Sequence, residues 1–92
     1  MSRIIFLLAL LASPVQAECY ADYKAKQDNP LKLAYGVSQV SDAACSDKAA
    51  ARAELEGRLS AQGWTLLKIL STFGPEGLGE RQSSAGEFFL RF

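Results

Sequence analysis

Cys19 and Cys45 are the first residues to weigh for chemistry, because the chain of 92 residues contains no histidine. That absence removes histidine-based triads, histidine metal sites and the usual general base at neutral pH. The cysteine spacing is not C-x-x-C, and neither thiol has an activating neighbour beyond a helix N-terminus. In an exported chain two cysteines read as one structural disulfide. Its loop is long enough to stabilise the fold by roughly 3–4 kcal/mol in the chain-entropy account. A redox-active pair is the alternative. One cysteine pair without histidine gives no expectation of zinc. Carboxylates can act in pairs, but Glu54 and Glu56 lie two apart on the solvent side of a helix and do not face each other. Glu76, Glu80 and Glu87 fall in or beside a glycine-rich stretch, and Ser83 and Ser84 have no base nearby in sequence. No catalytic residue, cofactor or metal ligand is therefore assigned. The functional expectation is a non-catalytic binding or interaction module. The alternative is a small periplasmic enzyme or redox protein that uses carboxylates or the cysteine pair.

The export expectation comes from the first 17 residues. Arg3 precedes the apolar run Ile4–Ala12, Pro14 breaks it, and Val15-Gln16-Ala17 places small residues at −3 and −1. This is the pattern of a cleaved secretory signal, and the run is far shorter than the roughly 20 residues that span a bilayer. Residues 18–92 then form one small domain, periplasmic or secreted, with no transmembrane span. Ten basic residues less Arg3 stand against ten acidic ones. That balance argues against nucleic acid as a partner. The expected partner is a protein or a component of the cell envelope. A domain this small is marginal without a staple.

The elements that would hold these residues follow from periodicity. Ala51, Leu55 and Leu59 recur at i, i+4 and i+8, one narrow helical stripe. Ser46 suits the N-cap with Asp47 in the first turn, and Gly63 suits the left-handed position just past the C-terminus. Arg52–Glu56 and Glu54–Arg58 are i, i+4 pairs. So thin a stripe needs a sheet beneath it. The run from Trp64 to Phe73, with Leu66, Leu67, Ile69 and Leu70, reads as the sheet's central strand. Before the helix, residues 19–41 alternate with period two. Cys19, Ala21, Tyr23 and Ala25 share one face of the first strand, and Leu31, Leu33, Tyr35 and Val37 share one face of the second. A three-residue loop, Asp28-Asn29-Pro30, would bring these faces together, pairing Ala25 with Leu33 and Tyr23 with Tyr35. Lys24, Lys26 and Lys32 would then cluster on the wet face. That face reads as solvated and resistant to edge pairing, or as a patch for anionic lipid, glycan or an acidic partner. Residues 74–86 read as a mobile connection, with a contact surface as the alternative, and Gly86–Phe92 as a closing strand rich in phenylalanine.

Leu55, Leu59, Gly63-Trp64, Leu66 and Ile69, followed by a glycine-rich stretch and Phe88-Phe89-Leu90-Arg91, resemble a family of short bacterial domains of unknown function. The likeness covers about residues 48–92. Gln62 and Thr65 depart from it, because glutamate is usual at both places. The resemblance implies a small sheet with one helix across it and no activity. The expected fold is α+β: an antiparallel sheet of about four strands in the order ββαββ, with one helix on one face. Its expected core is Trp64, Leu55, Leu59, Leu66, Ile69, Phe88 and Leu90.

Overall fold

The computed structural model describes residues 18–92; the expected export signal, residues 1–17, lies outside them. Strand β1 (Cys19–Gln27) and strand β2 (Lys32–Val40) lead through a 3-10 turn, Asp42–Ser46, into helix α1 (Lys48–Ala61). Strand β3 (Thr65–Phe73), a 3-10 turn at Pro75–Gly77 and helix α2 (Gly79–Ala85) follow, and Gly86–Phe88 forms a last 3-10 turn. The class is α+β, with a three-stranded antiparallel sheet ordered β2-β1-β3.

Strand β1 is therefore the centre and β3 an edge, the reverse of the expectation that Trp64–Phe73 would be central. Residues Cys19–Tyr23 are buried without a break, because strands flank β1 on both sides and helices cover both faces at that end. Helix α1 crosses one face and delivers β3 to the edge that β2 leaves free. Its stripe of Ala51, Leu55 and Leu59 is fully buried against Ala21, Tyr23, Leu66 and Ile69. Arg52 donates to the Leu67 carbonyl at 3.3 Å and Arg58 to the Gln39 carbonyl at 2.7 Å, so the helix is tied to strands on opposite edges.

The cap of α1 is Asp47 rather than Ser46. Its carboxylate accepts from the Ala49 and Ala50 amides at 3.0 and 3.3 Å, which satisfies two of the helix's orphan donors. Gly63 ends the helix at φ +84°. The Gly63 amide bonds the Ser60 carbonyl and the Trp64 amide bonds the Leu59 carbonyl, the paired bonds of a Schellman stop.

The hairpin register differs from the expected one by a single residue. The loop has four residues, Asp28–Leu31, and Gln27 pairs with Lys32, Ala25 with Ala34 and Tyr23 with Gly36. A side chain opposite Tyr23 is what the structure cannot accept. A Cβ on Gly36 would lie 2.4 Å from the Tyr23 phenol oxygen, so the ring needs a glycine across from it. Because strand side chains alternate, a slip of one moves every side chain to the other face. Ala34, Gly36, Ser38 and Val40 now share the α1 face with Cys19, Ala21, Tyr23 and Ala25. Leu33, Tyr35 and Val37 share the outer face with Tyr20, Asp22, Lys24 and Lys26. Lys32 stands apart from the other two lysines, on the α1 side of the tip.

Residues 74–92 also depart from expectation. The stretch read as mobile contains α2, and the expected closing strand is a 3-10 turn with one bridge. Phe89 bridges Val37 in parallel, the Leu90 amide donates to the Val37 carbonyl at 2.8 Å, and Ser38 donates to the Phe92 carbonyl at 3.1 Å. These contacts dress the outer edge of β2 without extending the sheet. Leu90, expected in the core, is 45% exposed. Trp64 and Phe88 are half-buried, edge to face with centroids 5.3 Å apart. Leu55, Leu59, Leu66 and Ile69 are buried.

Candidate functional site

The outer face of the sheet holds the chain's most perturbed side chains, and α2 covers only half of it. Asp22, from central β1, is 6% exposed. Its carboxylate accepts from Ser71 on β3 at 2.6 Å, from Tyr35 on β2 at 2.8 Å and from Arg81 Nε on α2 at 3.1 Å. Arg81 also donates to the Gly77 carbonyl at 2.8 Å, and its guanidinium lies 3.9 Å above the Phe73 ring. That ring in turn stacks on Tyr20. One carboxylate thus joins all three strands to α2. Ala85, Tyr20 and Val37 close the apolar side, with Leu78 and Phe89 against them.

The electrostatics of this cluster hold Asp22 charged and Tyr35 protonated near neutral pH. Burial works to raise the Asp22 carboxyl, but the hydrogen bonds from Ser71, Tyr35 and Arg81 and the charge of Arg81 outweigh it and hold it below its ordinary value. Burial, and then its bond to that carboxylate, pushes the Tyr35 phenol up to about 12. With the carboxyl held below its ordinary value and the phenol raised, the pair is a carboxylate and a protonated phenol at neutral pH. Ser71 donates to a carboxylate that is already an ion, with no imidazole between them. The cluster therefore works as an anchor for α2. The alternation of the first strand leaves Asp22 on the face opposite Cys19, Ala21 and Tyr23, and Arg81 falls in the stretch expected to be mobile. One signal could have found the helix: Glu80, Arg81, Gln82 and Ala85 are fair helix formers between two glycines.

Beyond Asp22 the same face is open. Lys24, Leu33, Tyr35 and Leu67 surround a shallow hollow of about 230 Å³. Leu33 is 70% exposed, Leu67 42%, and Leu31 in the loop 64%. Leu67 points here because β3 is irregular beside Lys24 and Ala25, which leaves it between the inward-facing Leu66 and Ile69. Lys24 and Lys68 are register partners on neighbouring strands, and both are exposed. On the α1 side of the same tip, Lys32, Leu33, Trp64 and Arg91 border a second hollow of about 670 Å³.

The two cysteines sit at the opposite end. Cys19 and Cys45 are joined in a disulfide with Cα atoms 5.6 Å apart. Cys19 is fully buried, and Thr72 donates to the Cys45 carbonyl at 2.7 Å. The bridge pins the start of β1 to the turn before α1. Glu54, read as a solvent-facing carboxylate, instead accepts from the Ser41 amide at 2.9 Å and from the Ser41 hydroxyl. Those two bonds, with Arg58 adding to them, hold its carboxyl below the ordinary value. Glu76, Glu80 and Glu87 do not converge on one another. Among the described residues no group of three or more acidic, cysteine or histidine side chains could hold a metal ion, and no helix is long and apolar enough to cross a membrane.

No protein-family model matches the chain, and neither a curated protein nor a solved structure matches it.

Proposed function

We propose that the protein is a small exported binding module without catalytic chemistry, and that its working surface is the uncovered half of the outer sheet face. The observation that carries this reading is the contrast within one face. Where α2 lies on the sheet, every large side chain is covered and the polar groups are paired. Past Asp22, Leu31, Leu33 and Leu67 stand in solvent with Lys24 beside them. Exposed leucines grouped in this way mark contact surfaces. The export half of the reading rests on the leader-like pattern of residues 1–17 and on a disulfide, which persists in oxidising compartments. The redox alternative is weaker, because the sulfur of Cys19 is wholly shielded and reactive cysteines sit where an attacking thiolate can reach them.

Site-specific photo-cross-linking in the expressing cell tests the reading. A probe at Leu67, in the open half, is expected to give a discrete adduct that excess parent protein suppresses. A probe at Gln82, on α2, is expected to give none. Equal labelling from both positions, or none from either, would remove the open half as the working surface.

A further inference from the structure

The charge of this chain is nearly balanced, yet its placement is not. The hairpin tip and the adjoining start of β3 hold Lys24, Lys26, Lys32 and Lys68, with Asp28 among them and the Glu87–Arg91 pair beside Lys32. Lys26 and Asp28 are paired at 3.3 Å, both partly exposed. Around the disulfide end lie Glu18, Asp42, Asp47, Glu76 and Glu80. The molecule is thus polarised along its strands, with a basic tip and an acidic base.

The tip is also its most apolar exposed region. Leu31 and Leu33 flank Lys32 on consecutive residues and are 64% and 70% exposed. The register slip enforced by Tyr23 and Gly36 turns Leu33 outward, and it also separates the lysines: Lys24 and Lys26 border the leucines on one face, Lys32 on the other. Trp64, half-buried, stands at the same end.

From these features we infer that the hairpin tip docks on an anionic lipid surface, with Leu31 and Leu33 entering the headgroup region and the lysines neutralising lipid phosphates. The inference rests on the binding-module reading and names its partner. The lysine charge of the tip and the exposure of Leu31 and Leu33 beside it select an anionic lipid surface. Protruding leucines ringed by lysine on both sides, beside a tryptophan, are what an interface of apolar chains and anionic headgroups accepts.

Co-sedimentation with vesicles tests this, using phosphatidylglycerol mixed with phosphatidylcholine and phosphatidylcholine alone, at low salt. The parent is expected on the mixed vesicles and not on the neutral ones, with binding that salt weakens. Lys24→Glu/Lys32→Glu is expected to lower partitioning by at least roughly tenfold, as each lysine near an anionic leaflet is worth roughly fivefold. Leu31→Ser/Leu33→Ser is expected to lower it as well while melting at the parent's temperature. Residues 1–17, if retained, are common to all variants, so the difference between variants is the readout. Equal partitioning of parent and both variants would overturn the inference, as would equal binding of the parent to neutral vesicles. Capture of parent and leucine variant alike by soluble polyglutamate, with no vesicle binding, would assign the tip to an acidic polypeptide instead. In that case the lipid partner falls, while a Leu67 cross-link would keep the binding-module reading standing.

Discussion

The two halves of the outer sheet face are built from the same three strands and the same alternation, and they end in opposite states. In the half beneath α2, Asp22 gathers donors from β2, β3 and α2, and Tyr20, Val37 and Ala85 shut out water. In the half toward the hairpin tip, Leu33 and Leu67 meet solvent beside Lys24. The strands do not cause the difference. One helix of seven residues does, and it reaches only as far as Arg81 can hold Asp22. The covered half ties α2 to all three strands through Asp22. The open half contributes little stability, and its composition is free to serve a contact.

The sharpest way to break this contrast is to remove its hub. Asp22→Ala strands the Arg81 guanidinium and the Tyr35 hydroxyl, and opening a buried ion pair from one side costs about 3–5 kcal/mol. The urea midpoint should fall accordingly; an unchanged midpoint would mean that α2 is held by its apolar contacts alone. Tyr35 tests the boundary, because its hydroxyl serves the covered half while its ring lines the open hollow. Tyr35→Phe loses one bond to a charged acceptor and should cost about 1.5 kcal/mol, with the tip's exposure unchanged.

Acidity offers a third test. The folded Asp22 carboxyl lies below its ordinary value of 3.8, so its contribution is complete above that pH and is lost as pH falls through the lower folded value. The stability gap between the parent and Asp22→Asn should therefore close in acid. Tyr35 acts in the other sense. Its contribution is complete below pH 10 and is lost as pH rises toward its folded value of about 12. A gap that stays constant across the acid range would show that Asp22 gains nothing from its partners. The smallest effect belongs to the open half, where Leu33→Ser should change stability by no more than about 0.5 kcal/mol. A loss of several kcal/mol would mean that Leu33 is covered and that the two halves do not differ.

An unpartnered hydroxyl gives a further check on the opposite face. Among the described residues the Tyr23 phenol oxygen is buried without a hydrogen-bond partner. Tyr23→Phe should be neutral or stabilising by up to about 1 kcal/mol, since removing an unsatisfied polar group removes its desolvation cost.

Local patterns and their outcomes separate cleanly along the chain. The helix stripe of Ala51, Leu55 and Leu59, the stop at Gly63 and the presence of strands near residues 19–27, 32–40 and 65–73 were readable from residue order, because capping and periodicity act within a few residues. The partner for Cys19 was readable too, since two cysteines allow one pairing. The α2 anchor was not readable. Arg81 and Asp22 are 59 residues apart, and neither carries a mark of the other. Nor was the hairpin register readable, because matching the apolar faces of the two strands favoured a three-residue loop and the chain forms a four-residue one. Packing decided between them when the Tyr23 ring required Gly36 across from it, and that choice turned Leu33 to the solvent. Which strand lies at the centre was likewise a tertiary outcome: apolar content suited β3, but β1 is the strand that pairs along both its edges.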